Sequence, residues 1–141
     1  MTTHASEISV PTLLNRLAAD AAEDVSRGGA PLEVLRRLIE ALPVAALVAD
    51  DDGRYVLTNP LASKLTGYSA DELRRLSVWD LTPSKNDREA ETLWRAFRQQ
   101  RAQSGDYQLL TKAGRVVTAA YAARAHVLRG LHVSLLRFDP S

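Results

Sequence analysis

The chain has 141 residues, 45% of them hydrophobic, enough for one domain with a real core and a helical extension but too few for a further catalytic domain. Lysine and arginine total 18 against 17 acidic residues, which leaves no net field to draw the chain to nucleic acid or to an anionic membrane. The absence of cysteine excludes disulfides, thiolate metal sites and cysteine nucleophiles, and is compatible with the cytoplasm.

Met1 to Val10 lacks the basic and apolar regions of a signal peptide, and no apolar run approaches the length that spans a bilayer, so the expectation is a cytoplasmic protein. Arginine and alanine are frequent and lysine rare, a pattern of GC-rich bacterial codon usage. After Pro11, the residues Leu14, Leu17, Ala18, Ala21 and Val25 recur at helical spacing until Arg27-Gly28-Gly29 stops the pattern. A second amphipathic helix is predicted from Pro31, with Leu32, Leu35, Leu38, Ile39 and Leu42 on one side and Arg36, Arg37 and Glu40 on the other. Neither stripe can remain exposed to water. The two helices are expected to form a cap that is also a dimer seam through Leu14, Leu17, Ala18, Ala21, Val25, Leu35, Leu38 and Leu42; the alternative is that both pack on their own domain. Near Pro43 the helical period gives way to strand-like runs, which divides the chain into 1–42 and 43–141.

The second part opens with a predicted strand from Ala45 to Ala49, the turn Asp50-Asp51-Asp52-Gly53 and a strand from Arg54 to Thr58. The three aspartates suit local backbone hydrogen bonding in a turn better than convergent ligation of a cation. Asn59 closes the strand, Pro60 suits the first turn of a helix, and Leu61 and Leu65 share its face. Gly67 ends that helix, and Ser69 with Glu72 forms a capping box for the next. Leu76 to Leu81 predicts a helical turn, broken at Thr82-Pro83-Ser84. A longer helix from about Asp87 to Ala102 follows, capped by Asn86 with Glu89, with Asp87, Glu89 and Glu91 in its first turns and Leu93, Trp94 and Phe97 as its apolar face. Arg88, Arg95, Arg98 and Arg101 read as a solvated face rather than a phosphate-binding stripe. Beyond Gly105 a two-residue period begins at Tyr107, Ala113-Gly114 turns the chain, and strands are predicted over Arg115 to Val127 and Leu131 to Phe138.

The stretch from Asn59 to Leu73 with its Gly67-Tyr68 hinge resembles the signature of PAS sensor domains. The order of strands and helices, Asp106-Tyr107 through Val117, and the final Asp139-Pro140-Ser141 are similar to that family as well, so the resemblance covers about Ala41 to Ser141. It implies an α+β fold: a five-stranded antiparallel sheet with short helices and one longer helix over one face, preceded here by the N-terminal helices. By the family's geometry, Leu61, Leu65, Val78, Trp79, Leu93, Trp94, Phe97, Ala119, Tyr121 and Ala123 enclose either a ligand pocket or an aromatic-filled core. In the family the last strand leads into an output helix; here the chain stops at Ser141, which is expected of a free-standing sensor, an adaptor or a fragment cut at a domain edge.

The resemblance also excludes cofactors. A cysteinyl-flavin adduct needs a cysteine, and haem ligation from the long helix needs a histidine that Arg88 to Arg101 lacks; a noncovalent small ligand, flavin included, needs no single residue. His126 and His132 flank the last turn. A three-residue loop would set them opposite one another and a two-residue loop would set His126 opposite Val133; two histidines alone are a weak case for a metal, and none is assigned. No phosphate loop, Gly-x-Ser-x-Gly elbow or His-Glu metal motif marks an enzyme. The expected function is a bacterial sensory or regulatory module that binds a small molecule and signals through a homodimer to a sensor kinase or regulator output domain. The alternative is a ligand-free dimerisation module with a filled core.

Overall fold

A computed structural model describes residues 8–83 and 87–138. The Asn86 cap and the closing Asp139-Pro140-Ser141 segment lie outside the described residues. Two helices, α1 (Val10–Ser26) and α2 (Pro31–Glu40), precede the strands β1 (Ala45–Ala49) and β2 (Tyr55–Thr58). Then come α3 (Pro60–Thr66), α4 (Ala70–Leu73), a 3₁₀ turn (Val78–Leu81), the long α5 (Asp87–Gln100), and β3 (Ala102–Leu110), β4 (Val116–Leu128) and β5 (Leu131–Phe138). The strands form one antiparallel sheet in the order β2-β1-β5-β4-β3.

Because successive strand residues face opposite sides, β1 supplies both faces of the sheet. Ala46 and Val48, paired with Leu135 and Val133, point to the outer face, whereas Ala45, Leu47 and Ala49, paired with Leu136, Ser134 and His132, point to the inner one. All five β1 residues are buried, so this strand reads as an unbroken apolar run. The inner face is covered by the short helices and α5. The outer face is covered by α1 and α2, whose Leu14, Leu17, Ala18, Ala21 and Leu35 are buried against Ala46, Val48, Ala122, Val133 and Leu135, with Val25, Leu38 and Leu42 packed at the margin. This corrects the expected dimer seam: an apolar sheet face in the same chain is available without any cost of association, and it takes the stripe.

Local signals acted as their chemistry dictates. Ser69 Oγ accepts from the Glu72 N–H while Glu72 Oε1 accepts from the Ser69 N–H, at 3.1 and 2.8 Å. Gly67 ends α3 in the left-handed region at φ +84°. In the first hairpin Asp50 Oδ1 accepts from the Asp52 and Arg54 N–H groups, which is the turn role of that aspartate. Buried Asn59 satisfies all four of its side-chain hydrogen bonds: Oδ1 accepts from Ala46 N and Ala62 N, and Nδ2 donates to Ile39 O and Val44 O, all between 2.9 and 3.0 Å. It therefore joins the end of α2, the start of β1 and the start of α3.

Two boundaries differ from expectation. α5 stops at Gln100 and β3 begins at Ala102, because Arg101 turns the chain at φ +78° and pairing with β4 extends to Ala102 opposite Arg124. The last hairpin combines the two-residue Arg129-Gly130 loop with a bulge between Arg124 and Leu128, at which His126 takes φ +53°. The bulge reverses the phase of β4. Ala123 and Ala125 lie on the inner side, and Val127 joins the outer core.

Candidate functional site

The inner face does not close completely. Between α5 and the sheet lies a cavity of about 300 Å³. Its roof is the face of α5 that carries Ala90, Leu93, Trp94 and Phe97, spaced 3, 4 and 7 residues from the first so that all four share one face, with Leu93 at its exposed rim. Its floor comes from inward-phase positions: Leu47 and Ser134, Tyr107 and Leu109, Tyr121 and Ala123, and Leu136. Val78 and Trp79 of the 3₁₀ turn, with Tyr55 and Thr82, close one end, and Gln100 and Gln103 stand at the other. Small residues make the space. Alanine at 90, 96 and 123 leaves room that a leucine at any of them would occupy.

Seven of the ten expected pocket residues line this cavity: Val78, Trp79, Leu93, Trp94, Phe97, Tyr121 and Ala123. The other three are corrected. Leu61 and Leu65 line a separate hollow beside Pro43, Lys64 and Phe138, because α3 covers the far end of β1. Ala119 is buried opposite Tyr107 within the packed part of the inner core. Sequence reading missed Tyr55, Thr82, Gln100 and Gln103. Strand phase could have supplied Leu47, Tyr107 and Leu109, whereas Gln103 depended on knowing that β3 starts at Ala102.

Hydrogen bonds between uncharged side chains hold the walls. The Tyr121 hydroxyl donates to Gln103 Oε1 at 2.6 Å, and Gln103 Nε2 donates to Gln100 Oε1 at 3.0 Å. Thr82 and Tyr107 share a hydroxyl–hydroxyl bond. Burial pushes the Tyr55 phenol well above its usual range and raises those of Tyr107 and Tyr121, so all three stay neutral. Trp94 Nε1 donates to the Asp51 carbonyl at 3.0 Å, which fastens α5 to the first hairpin. Gly53 is required below Trp79: it sits at φ +81°, and a Cβ there would stand 2.7 Å from the indole.

Behind Trp94 and Phe97 lies buried His132, whose ring meets theirs edge-on at 5.4 and 6.3 Å. Its Nδ1 accepts from the His126 backbone N–H at 2.9 Å, so the neutral ring carries its proton on Nε2 and donates it to Asp51 Oδ1 at 2.8 Å. His126 Nδ1 likewise accepts from the Gly130 N–H at 3.3 Å. The bulge thus brings the two histidines together, with ring centroids 4.4 Å apart, by a route that neither loop length foretold. Asp51, His126 and His132 offer ligand atoms within 4.8 Å of one another, but a cation on either Nε2 would need the proton moved to an Nδ1 that faces a backbone donor. Arg98 Nη1, 3.7 Å from the same aspartate oxygen, opposes a cation further and withdraws Arg98 from the expected solvated face. The set is a hydrogen-bonded strut.

This strut makes stability acid-sensitive. The groups facing His132 are Asp51, Arg98 and His126; burial, chiefly, holds its pKa below the ordinary 6.5 against the pull of Asp51, and the electrostatic influence of His126 and Arg98 adds to the lowering. A folded-state pKa depressed below the unfolded one means that the unfolded chain binds the proton more readily, so stability is present above about pH 6.5 and is lost as pH falls. Asp51, lowered by its bond to His132, adds a further loss only below 3.8. The urea midpoint is expected to fall between pH 7.5 and pH 5.0, and the fall should shrink in His132→Gln; an equal fall in both proteins would assign the effect elsewhere.

The family model described as PAS fold matches residues 33–133. Among solved structures the chain is similar to a domain of a sensory box sensor histidine kinase/response regulator from Geobacter sulfurreducens, with TM-score 0.64 and 20% identity over 75% of this chain and 92% of that one. It is similar also to the PAS domain of an HTR-like protein from Haloarcula marismortui, with TM-score 0.62 and 19% identity over 89% and 99%. A third likeness is the PAS domain, in complex with ethanol, of a LuxR-family transcriptional regulator from Burkholderia thailandensis, with TM-score 0.59 and 14% identity over 74% and 96%. No curated relative matches the chain. With the family's strand order, its helix-roofed inner face and a model match across most of its length, the chain belongs to the PAS family.

Proposed function

We propose that this PAS domain is the sensory module of a bacterial signal-transduction protein and that it binds a small molecule in the cavity beneath α5. The observation that carries the reading is the cavity itself: close packing is the ordinary state of a protein interior, and about 300 Å³ lined by aromatic rings and alanines departs from it. That departure favours a ligand-binding sensor over a dimerisation module with a filled core. α5 is tied to the hairpin turn through Trp94 and Asp51, so a ligand that lifts or lowers α5 has a mechanical route to the sheet. The module carries no turnover of its own and works in the cytoplasm, passing its state through a homodimer to a kinase or regulator output domain. Among the described residues no helix is long and apolar enough to cross a membrane, which is compatible with that setting.

Native mass spectrometry of freshly purified protein, beside its denatured spectrum, tests this reading. Extra noncovalent mass is the expected result, and Ala123→Leu should abolish it while leaving the thermal midpoint within a few degrees. Bare polypeptide mass, together with failure of every small molecule tried to raise the midpoint, would turn the reading to the dimerisation module.

A further inference from the structure

We propose that the cavity's ligand is an uncharged, two-ring aromatic molecule with one hydrogen-bonding edge, an inference that rests on the cavity being the sensory site. Three independent features of the walls carry it.

The first is charge. Among the described residues no aspartate, glutamate, lysine, arginine or histidine lines the cavity; His132, Asp51 and Arg98 stand behind the aromatic wall, the histidine and the arginine each paired with the aspartate. A carboxylate, phosphate or ammonium entering this space would be desolvated with no counter-charge to meet it, which is prohibitive in an apolar site. The second is size. An apolar protein cavity of about 150 Å³ holds one benzene ring, so a volume of about 300 Å³ matches two fused rings. The third is the surface itself. Tyr55, Trp79, Trp94, Phe97, Tyr107 and Tyr121 all present rings to the space, and the rings already pair obliquely, Trp94 with Phe97 at 5.4 Å and Tyr107 with Tyr121 at 5.1 Å. A flat aromatic ligand can extend both pairs by offset or edge-on stacking, which a saturated chain of the same volume cannot do.

The polar atoms set the orientation. The chain of donors from Tyr121 through Gln103 ends on Gln100 Oε1, and the exposed Gln100 amide N–H, with no acceptor among the described residues, can turn to a ligand at the cavity's edge. The Tyr55 hydroxyl at the opposite end likewise has no partner among them. A ligand whose heteroatom edge faces the glutamines and whose carbocyclic edge lies under Trp79 satisfies the first site and keeps its apolar body in the apolar part.

The test is calorimetric titration of the full chain at pH 7.5 with four probes: indole, its anionic relative indole-3-acetate, its cationic relative tryptamine, and 1-octanol as an aliphatic molecule of similar volume. Indole should bind at least tenfold more tightly than each of the other three, and Ala123→Leu should weaken it at least tenfold. Should Ala123→Leu fail to fold, Leu93→Trp serves the same end, because Leu93 lines the cavity at its exposed rim and the larger ring takes up part of the space the ligand would fill. Octanol or a charged probe binding as tightly as indole overturns the ligand class and leaves the sensory cavity standing. Indole binding that neither variant weakens places the molecule elsewhere and overturns the inference. Failure of all four probes overturns the inference, and the native mass then decides the sensory reading separately: extra noncovalent mass keeps it, and bare polypeptide mass turns it to the dimerisation module.

Discussion

Asn59→Ala lowers the free energy of unfolding by about 3 kcal/mol, the loss expected when one buried donor and one buried acceptor are orphaned together. Of the four groups that the asparagine serves, two keep another partner: Ala62 N also donates to Asn59 O, and Ile39 O also accepts from Leu42 N. Among the described residues Val44 O and Ala46 N do not share that relief. Ala46 O accepts from Asn59 N, so the Ala46 N–H points to the same edge of β1 and has the asparagine oxygen as its partner there. Asn59→Asp should be worse, since it sets a carboxylate oxygen against the Ile39 and Val44 carbonyls. Urea unfolding of both variants measures the effect; a loss under about 1 kcal/mol for Asn59→Ala would show that water or backbone movement replaces the side chain.

Leu35→Ala should cost a similar amount, about 3 kcal/mol, the midrange for truncating a fully buried leucine. Leu35 has no exposed surface and lies between α2 and the outer face of the sheet. The same substitution should leave the native mass unchanged, whatever that mass is, because the side chain faces the chain's own core. Light scattering beside the unfolding curve separates the two roles. A shift from dimer to monomer with stability retained would restore the seam that the fold argues against.

Much of the fold was legible because its signals are local. The Ser69 and Glu72 capping box, the αL glycine at 67, the Asp50 turn and the apolar face of α5 each act within a few residues, where spacing dictates geometry. Asn59 was visible as a strand end and a helix start; that its amide also reaches Ile39, twenty residues earlier, was not. Inward strand phase placed Tyr121 and Ala123 on the cavity, and the same phase placed Ala119 there wrongly, because phase names a face of the sheet and not a position along it.

The sequence by itself determined the elements, their order and which of their faces are apolar, since propensity, capping and periodicity are properties of neighbours along the chain. Tertiary structure decided what those faces meet. An apolar stripe on a short helix is equally satisfied by a second copy or by a sheet of its own chain, and only the three-dimensional fold set α1 and α2 on the outer face. It alone brought Asp51 to His132, 81 residues away, through a bulge that no turn residue announces. It also left the inner face unfilled, because whether aromatic rings close a space or border it depends on how far α5 stands from the sheet, a distance that no spacing along the chain records.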